Sequence, residues 1–348
     1  MKLNNLLEKH RAITSKKLLL SGVIILLLLI AVIYSITVGP SSITTRELWQ
    51  TVRGQDTGHI RNIIWNIRLP RITTAILAGM GLSMAGVIMQ SILRNPLGSP
   101  FTLGISQAAA FGAAVSIMFF QGLRGGGLFS GVYLTTIMAF ITSLSSTFFI
   151  LLLSKYRNSS PEIMVLAGIA LGSLFNAGTM ALQYFADDVE LASIVFWTFG
   201  DVGRTTWGEI LMLVIILLLS LVYFIYNSWN YNSLHTGDET ALSLGVDVNK
   251  VRLKGMLLAS LLTSFIVSLV GIIGFVGLVT PHIIRMLIGG NEKYLIPATT
   301  LAGGLLLLVS DTTARTIIAP VVLPVGILTS FLGAPLFIYL ILKGRKLT

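Results

Sequence analysis

The 348-residue chain contains no cysteine. That excludes a disulfide framework and any thiolate-held metal, and it leaves the redox compartment unread. Charge is scarce, at 11% of residues, against roughly 25% in soluble domains. Acidic residues number 14 against 24 basic ones, for a formal net charge of +10. Such a surplus would suit a nucleic acid, but no basic stripe interleaved with aromatics accompanies it, so no nucleic-acid partner is expected. The four histidines, His10, His59, His235 and His282, are scattered, and no H-E-x-x-H occurs. No metal site and no cofactor are expected. No G-x-x-x-x-G-K-[ST] is present, so the chain should not cradle a nucleotide in a phosphate loop. The glycine-rich "GLRGGGLFSG", 122–131, lacks the lysine and reads as a flexible loop. The serine of "GIS", 104–106, has no histidine in a partner span, which argues against an intramembrane protease.

What the chain has is apolar length. Hydrophobic residues make up 54% of it, with a mean hydropathy of +0.86. They fall in blocks of about 20, the length needed to cross a hydrocarbon core of about 30 Å. The strict alternation of a membrane β-barrel is absent, as are heptads and low-complexity tracts. The expected fold is an all-α polytopic membrane protein, one transmembrane domain over 1–348. Ten spans fit, at about 18–38, 70–92, 101–120, 132–154, 162–185, 208–228, 252–270, 274–289, 295–314 and 322–342. The break before the eighth rests on Gly271, Gly274 and Gly277 in "GIIGFVG"; nine spans is the alternative. The run 18–38 is too long for a signal peptide and no A-x-A-like site follows it, so it reads as a retained span behind a basic tail, 1–17. Ser99-Pro100, Ser160-Pro161 and Thr280-Pro281 each read as a helix start, with Glu162 set at a positive helix end.

The basic residues orient the chain. With both termini inside, Lys2, Lys9, Arg11, Lys16, Lys17, Arg94, Lys155, Arg157, Lys250, Arg252, Lys254, Arg285, Lys293, Lys343, Arg345 and Lys346 are cytoplasmic, which is 16 of 24. The other 8, Arg46, Arg53, Arg61, Arg68, Arg71, Arg124, Arg204 and Arg315, are all arginine. This bias places the N-terminus inside, and arginine, unlike lysine, pairs with carboxylates through a planar fork. A longer outer segment, 186–207, mixes acids with Trp197 and Trp207 and is expected to lie as an amphipathic piece at the interface. A longer inner one, 229–251, holds a short helix from Asp238 to Leu244, then Gly245. Two glycine-rich runs ending in proline, "GMGLSMAGVIMQSILRNP" and "GIIGFVGLVTP", would run in opposite directions, as in inverted-repeat transporters. Gly79, Gly81 and Gly86 read as points of close helix packing.

Ion-coupled carriers leave titratable groups in mid-span. Here the one candidate is Asp311, with Arg315 four residues on as an i,i+4 partner. A nearly uncharged interior suggests energy supplied by another polypeptide. An ion-driven secondary transporter stays as an alternative, and a membrane enzyme as a weaker one.

Several motifs carry a family resemblance. "IRLPRITTAILAGMGLSMAGVIMQSILRNPLGSPFTLGIS", "GFVGLVTPHIIRMLIGG" and "LPVGILTSFLGAPLFIYLIL" resemble permeases of ABC importers for iron–siderophore, haem and cobalamin, over about 60–345. The resemblance implies a ten-span permease in the cell membrane, surrounded by lipid and paired with a second copy or a paralogue. It implies two cytoplasmic ATPase subunits, which do the hydrolysis, and an extracytoplasmic substrate-binding protein. By the same resemblance, Arg68, Arg71 and Arg315 dock the binding protein. Gly237, Asp238, Glu239, Ala241, Leu242, Leu244 and Gly245 form the ATPase coupling segment, with Ala241, Leu242 and Leu244 on one side of its helix. Asn95 and Leu97, in "RNPLGSP", belong to a cytoplasmic gate, where proline keeps the backbone non-helical. Haem, cobalamin and molybdate remain open beside an iron–siderophore complex as the cargo.

Overall fold

Apolar stretches of this length fold as helices because a backbone in hydrocarbon has to satisfy its own N–H and C=O groups, and a helix does so within one segment. The computed structural model describes residues 2–39, 49, 53, 58–120, 131–155 and 160–344. The glycine-rich loop before Gly131, Arg46, Arg157, Arg345 and Lys346 lie outside the described residues, as do the side chains of 2–13 and Lys343. Thirteen helices run through the described residues. They are α1 Lys2–Thr37, α2 His59–Leu93, α3 Ile105–Phe120, α4 Gly131–Lys155, α5 Pro161–Phe185, α6 Asp188–Thr198, α7 Trp207–Tyr226, α8 Ser228–Leu234, α9 Asp238–Ser243, α10 Val248–Val270, α11 Val276–Ile288, α12 Glu292–Thr316 and α13 Val325–Gly344.

Seven of these (α1, α2, α4, α5, α7, α10 and α12) are long and apolar enough to cross a membrane, and α3, α11 and α13 are shorter apolar helices. Each of the ten predicted stretches holds one of them. The stretch 1–17 expected as a tail is helical from Lys2 onward, continuous with the rest of α1.

Two predicted helix starts are corrected. Pro281 lies inside α11, which begins at Val276 behind Phe275 in a left-handed conformation. Pro100 lies in a run of turns, and α3 begins only at Ile105. Pro100 fits because a turn has no need of its N–H, whereas Pro281, the sixth residue of α11, lies past the first turn and removes the bond an N–H there would make to the Gly277 carbonyl. Ser160 does precede α5, but its hydroxyl bonds Glu162 instead of the backbone. The outer segment is sharply made: Asp187 and Glu190 form a capping box at α6, and Thr206 and Glu209 another at α7.

Three helices form the interior. In the most apolar window, 78% of α2 and 67% of α10 and of α12 are buried, against 11% of α1 and 22% of α5. Glycine lets α2 come close to its neighbours. A Cβ at Gly79 would collide with the Gly303 carbonyl of α12, and one at Gly86 with the Gly277 carbonyl of α11. Gly277 therefore serves as a contact inside α11, while the break itself runs from Gly271 to Phe275.

Candidate functional site

Buried charge gathers at one end of α2 and α12. Asp311 is fully buried and uses both oxygens. Arg71 Nε donates to Oδ1 at 2.9 Å, and Arg315 Nε donates to Oδ2 at 3.0 Å. The i,i+4 pair is thus present with a second arginine, brought in from α2. Arg71 also stands 3.4 Å from Asp201, and Arg204 stands 4.0 Å from it. The guanidiniums close the end of α1 as well. Arg315 donates to the Val38 carbonyl at 3.3 Å and to Ser35 Oγ at 2.6 Å, and Arg68 donates to the Ile36 carbonyl. The Ile36 and Val38 carbonyls are ones that a helix C-terminus leaves open, where cations are favoured. The three arginines expected to dock a partner are therefore brought together, but inward. Arg68 and Arg315 are only 4% exposed. The members nearest solvent are Asp201 and Arg204, with side chains about a third exposed. Sequence reasoning missed both; the signal was their place in the acid- and tryptophan-bearing outer segment.

At the other end, α2 finishes in a tight turn. Arg94 adopts φ 48°, and Asn95 N–H donates back to the Gln90 carbonyl at 3.1 Å, as in a Schellman end. Asn95 Oδ1 accepts the Leu97 N–H at 2.9 Å, so the proline-flanked turn is self-braced, and Leu97 is exposed.

The short helix α9 sits against that turn. Asp238 accepts two bonds from Arg252, at 2.8 and 2.7 Å, and lies 3.2 Å from Arg94. Arg252 is buried and also donates to the Ile92 carbonyl at 3.2 Å. One carboxylate thus joins α9 to α10 and to the turn after α2. The hydrogen bonds from Arg252, with its charge and that of Arg94, hold Asp238 below the usual carboxylate range. Gly237 and Gly245 have φ of 102° and 82° with open space around both, so backbone shape rather than packing requires glycine there. One detail of the expected coupling helix is corrected. Ala241 is buried while Leu242 and Leu244 are 59% and 54% exposed, because Leu242 is the next position around the helix and Leu244 lies past its end at Ser243. Glu239 is exposed.

A further feature was not legible in the sequence. A groove of about 770 Å³ lies along α1, but a more polar one of about 430 Å³ runs between α3 and α5. Gln107, Ser173 and Asn176 face it, beside Thr102. Gln107 Oε1 is buried with no hydrogen-bond partner among the described residues, and Ser173 and Asn176 are exposed. The two helices meet through glycine, since a Cβ at Gly104 would strike the Gly168 carbonyl.

Residues 26–343 match the FecCD transport family. A protein of Methanocaldococcus jannaschii assigned as an ABC transporter permease is 52% identical over 344 residues, 97% of this chain and 98% of its own. The hemin transport system permease protein of Yersinia pestis is 38% identical over 329 residues, 94% and 96% of the two chains. A solved inward-facing structure assigned to the metal-chelate type of ABC transporter is 32% identical, covers 93% of this chain and 98% of that one, and has a TM-score of 0.81.

Proposed function

This chain belongs to the FecCD transport family and is a multi-pass membrane permease of the ABC-importer class; on that premise we propose that it forms half of a pathway for an iron–siderophore or related metal chelate. The second half is another copy or a paralogue. Two cytoplasmic ATPases drive the pair, and an extracytoplasmic binding protein delivers the cargo.

The observation that carries this reading is the groove between α3 and α5. Ser173 and Asn176 are exposed on it, on a helix α5 whose other exposed side chains include Leu166, Ile169, Leu174 and Met180, and the amide of Gln107 lines it from α3. Polar groups at membrane depth belong against protein or a water-filled cavity, not lipid. The groove wall therefore faces a second subunit across an aqueous path, and its uncharged donors and acceptors suit an oxygen-rich chelate held weakly. The name of the hemin relative favours haem as a second cargo reading.

The inner elements take the roles their positions support. Leu242 on α9 and Leu244 just past its end present an apolar face to the ATPase, between the glycine joints at 237 and 245, with Asp238 and Glu239 at the helix start and Ala241 as its anchor. The turn with Asn95 and Leu97 serves as the gate, tied to α9 through Arg94 and Asp238. At the outer cluster, the four guanidiniums of Arg68, Arg71, Arg204 and Arg315 outnumber the carboxylates of Asp201 and Asp311 by two. We assign docking to this excess charge, which steers an acidic partner without needing every arginine at the surface.

Reconstitution tests the whole reading. Vesicles holding the permease, its ATPases and its delivery protein are expected to accumulate a ferric hydroxamate or hemin only with ATP. Vesicles holding the permease alone should accumulate neither under a proton or sodium gradient; uptake by the lone permease overturns the assignment. In the same vesicles, Arg71→Glu with Arg204→Glu should weaken docking and flatten its salt dependence while basal ATP hydrolysis continues. Unchanged docking removes the role given to the outer cluster.

A further inference from the structure

The inner end of α12 opens on a buried charge. Glu292 is its first residue and is 0% exposed. A carboxylate sealed from water is costly unless strong donors or an opposite charge meet it. Two side chains from other parts of the chain do so, and a third holds its backbone. Ser91, in the last turn of α2, donates its hydroxyl to Glu292 Oε1 at 2.7 Å. His235 Nε2, in the turn between α8 and α9, lies 3.0 Å from the same oxygen. Asn232 of α8 accepts the Glu292 backbone N–H at 2.9 Å, satisfying one of the donors that a helix start leaves open.

This knot stands on one side of Gly237 and the Asp238 contacts stand on the other. The backbone before the joint is pinned to Glu292, and the backbone after it to Arg94 and Arg252. The same two long helices are clasped again at their far end. Asp311 lies 19 residues beyond Glu292 on α12, about 28 Å along a helix, and holds Arg71 of α2. Between the clasps the two helices touch at Gly79 and Gly303.

We propose that Glu292 and His235 are the inner clamp through which α9 moves α2 and α12 as one body. Glu292 is then a positioning residue for the coupling segment, and the inference rests on the reading of 237–245 as the ATPase contact. A push on α9 reaches His235, passes through one carboxylate to both Ser91 and the start of α12, and so shifts the gate turn and the outer cluster together. Without the clamp the push is spent in bending the joint at Gly237.

The test uses the complete complex in vesicles, with uptake and ATP hydrolysis measured together. His235→Ala is the main variant, because that side chain is 35% exposed and Ser91 still donates to the Glu292 carboxylate without it. Glu292→Gln is the second. Each is expected to lower solute moved per ATP by about fivefold or more, the low end of site-to-site coupling, while His235→Ala stays folded at the assay temperature and still binds its ATPases. The double variant should lose no more than the worse single one, since both sit in one link. Wild-type coupling in His235→Ala, or losses that multiply in the double variant, overturns the clamp. Leu242→Glu separates the two readings. If it leaves ATPase binding intact, the coupling segment itself is misassigned. If it abolishes that binding while His235→Ala couples normally, only the clamp is wrong.

Discussion

Asp238 shows how much can hang on one side chain. It is the first residue of a six-residue helix, too short to hold its shape from propensity alone. What fixes α9 is the forked bond to Arg252 and the nearby Arg94. Hydrogen bonding to Arg252 depresses the carboxyl, so the ionised form belongs to the docked helix. A depressed carboxylate contributes stability above its unfolded value, about 4, and loses it as pH falls through the lower folded value. The absence of cysteine makes this readable, because a single nitroxide can be placed at Glu239→Cys. The label on α9 is expected to stay ordered from pH 7 down to about 4 and to loosen below that, whereas in Asp238→Asn it should be loose throughout. Equal order in both proteins at pH 7 would show that the contact does not hold α9. The sequence marked Asp238 by its place at a helix start, and Asp311 as the one titratable group in a span, with Arg315 four residues on. It could not supply Arg71 as a partner of Asp311, since the two lie 240 residues apart, and no local spacing encodes that.

At the scale of elements, the reading of the glycines was sound and their partners were hidden. Gly79 and Gly86 are where α2 meets α12 and α11, as the small-residue spacing implied. Which helix each meets depends on topology, not on the run that contains it. Gly86→Ala puts a methyl group into the Gly277 carbonyl, and overpacking of this kind costs about 1–3 kcal/mol. The purified protein should therefore melt at a clearly lower temperature. Gly22→Ala on α1, where nothing lies within 4 Å of the new atom, should leave melting unchanged. Equal effects from the two would mean that α2 and α11 are not in contact at this point. Helix ends were harder to read than helix bodies. Proline marks a start at Pro161 but sits in the second turn of α11 at Pro281, because a hydroxyl-proline pair looks the same in sequence at a helix start and within a helix.

For the whole molecule, the question is which outer face meets lipid and which meets protein. Hydropathy fixes the ten apolar stretches but is nearly blind to facing, since a lipid face and a subunit face are both apolar on average. The discriminating residues are few: Gln107, Ser173 and Asn176 on one side of α3 and α5. Along the middle of α7 the exposed side chains are apolar, Leu211, Met212, Ile215, Leu218, Leu219 and Val222. If the groove wall faces a second copy, Ser173→Cys on α5 should join two copies through a short bifunctional maleimide in native membranes. Leu219→Cys on α7, at 67% exposure, should stay monomeric under the same treatment. The chain has no native cysteine to confuse the result. Cross-linking at 219 with none at 173 would turn the assembly around, placing the polar groove away from the partner and the pathway with it.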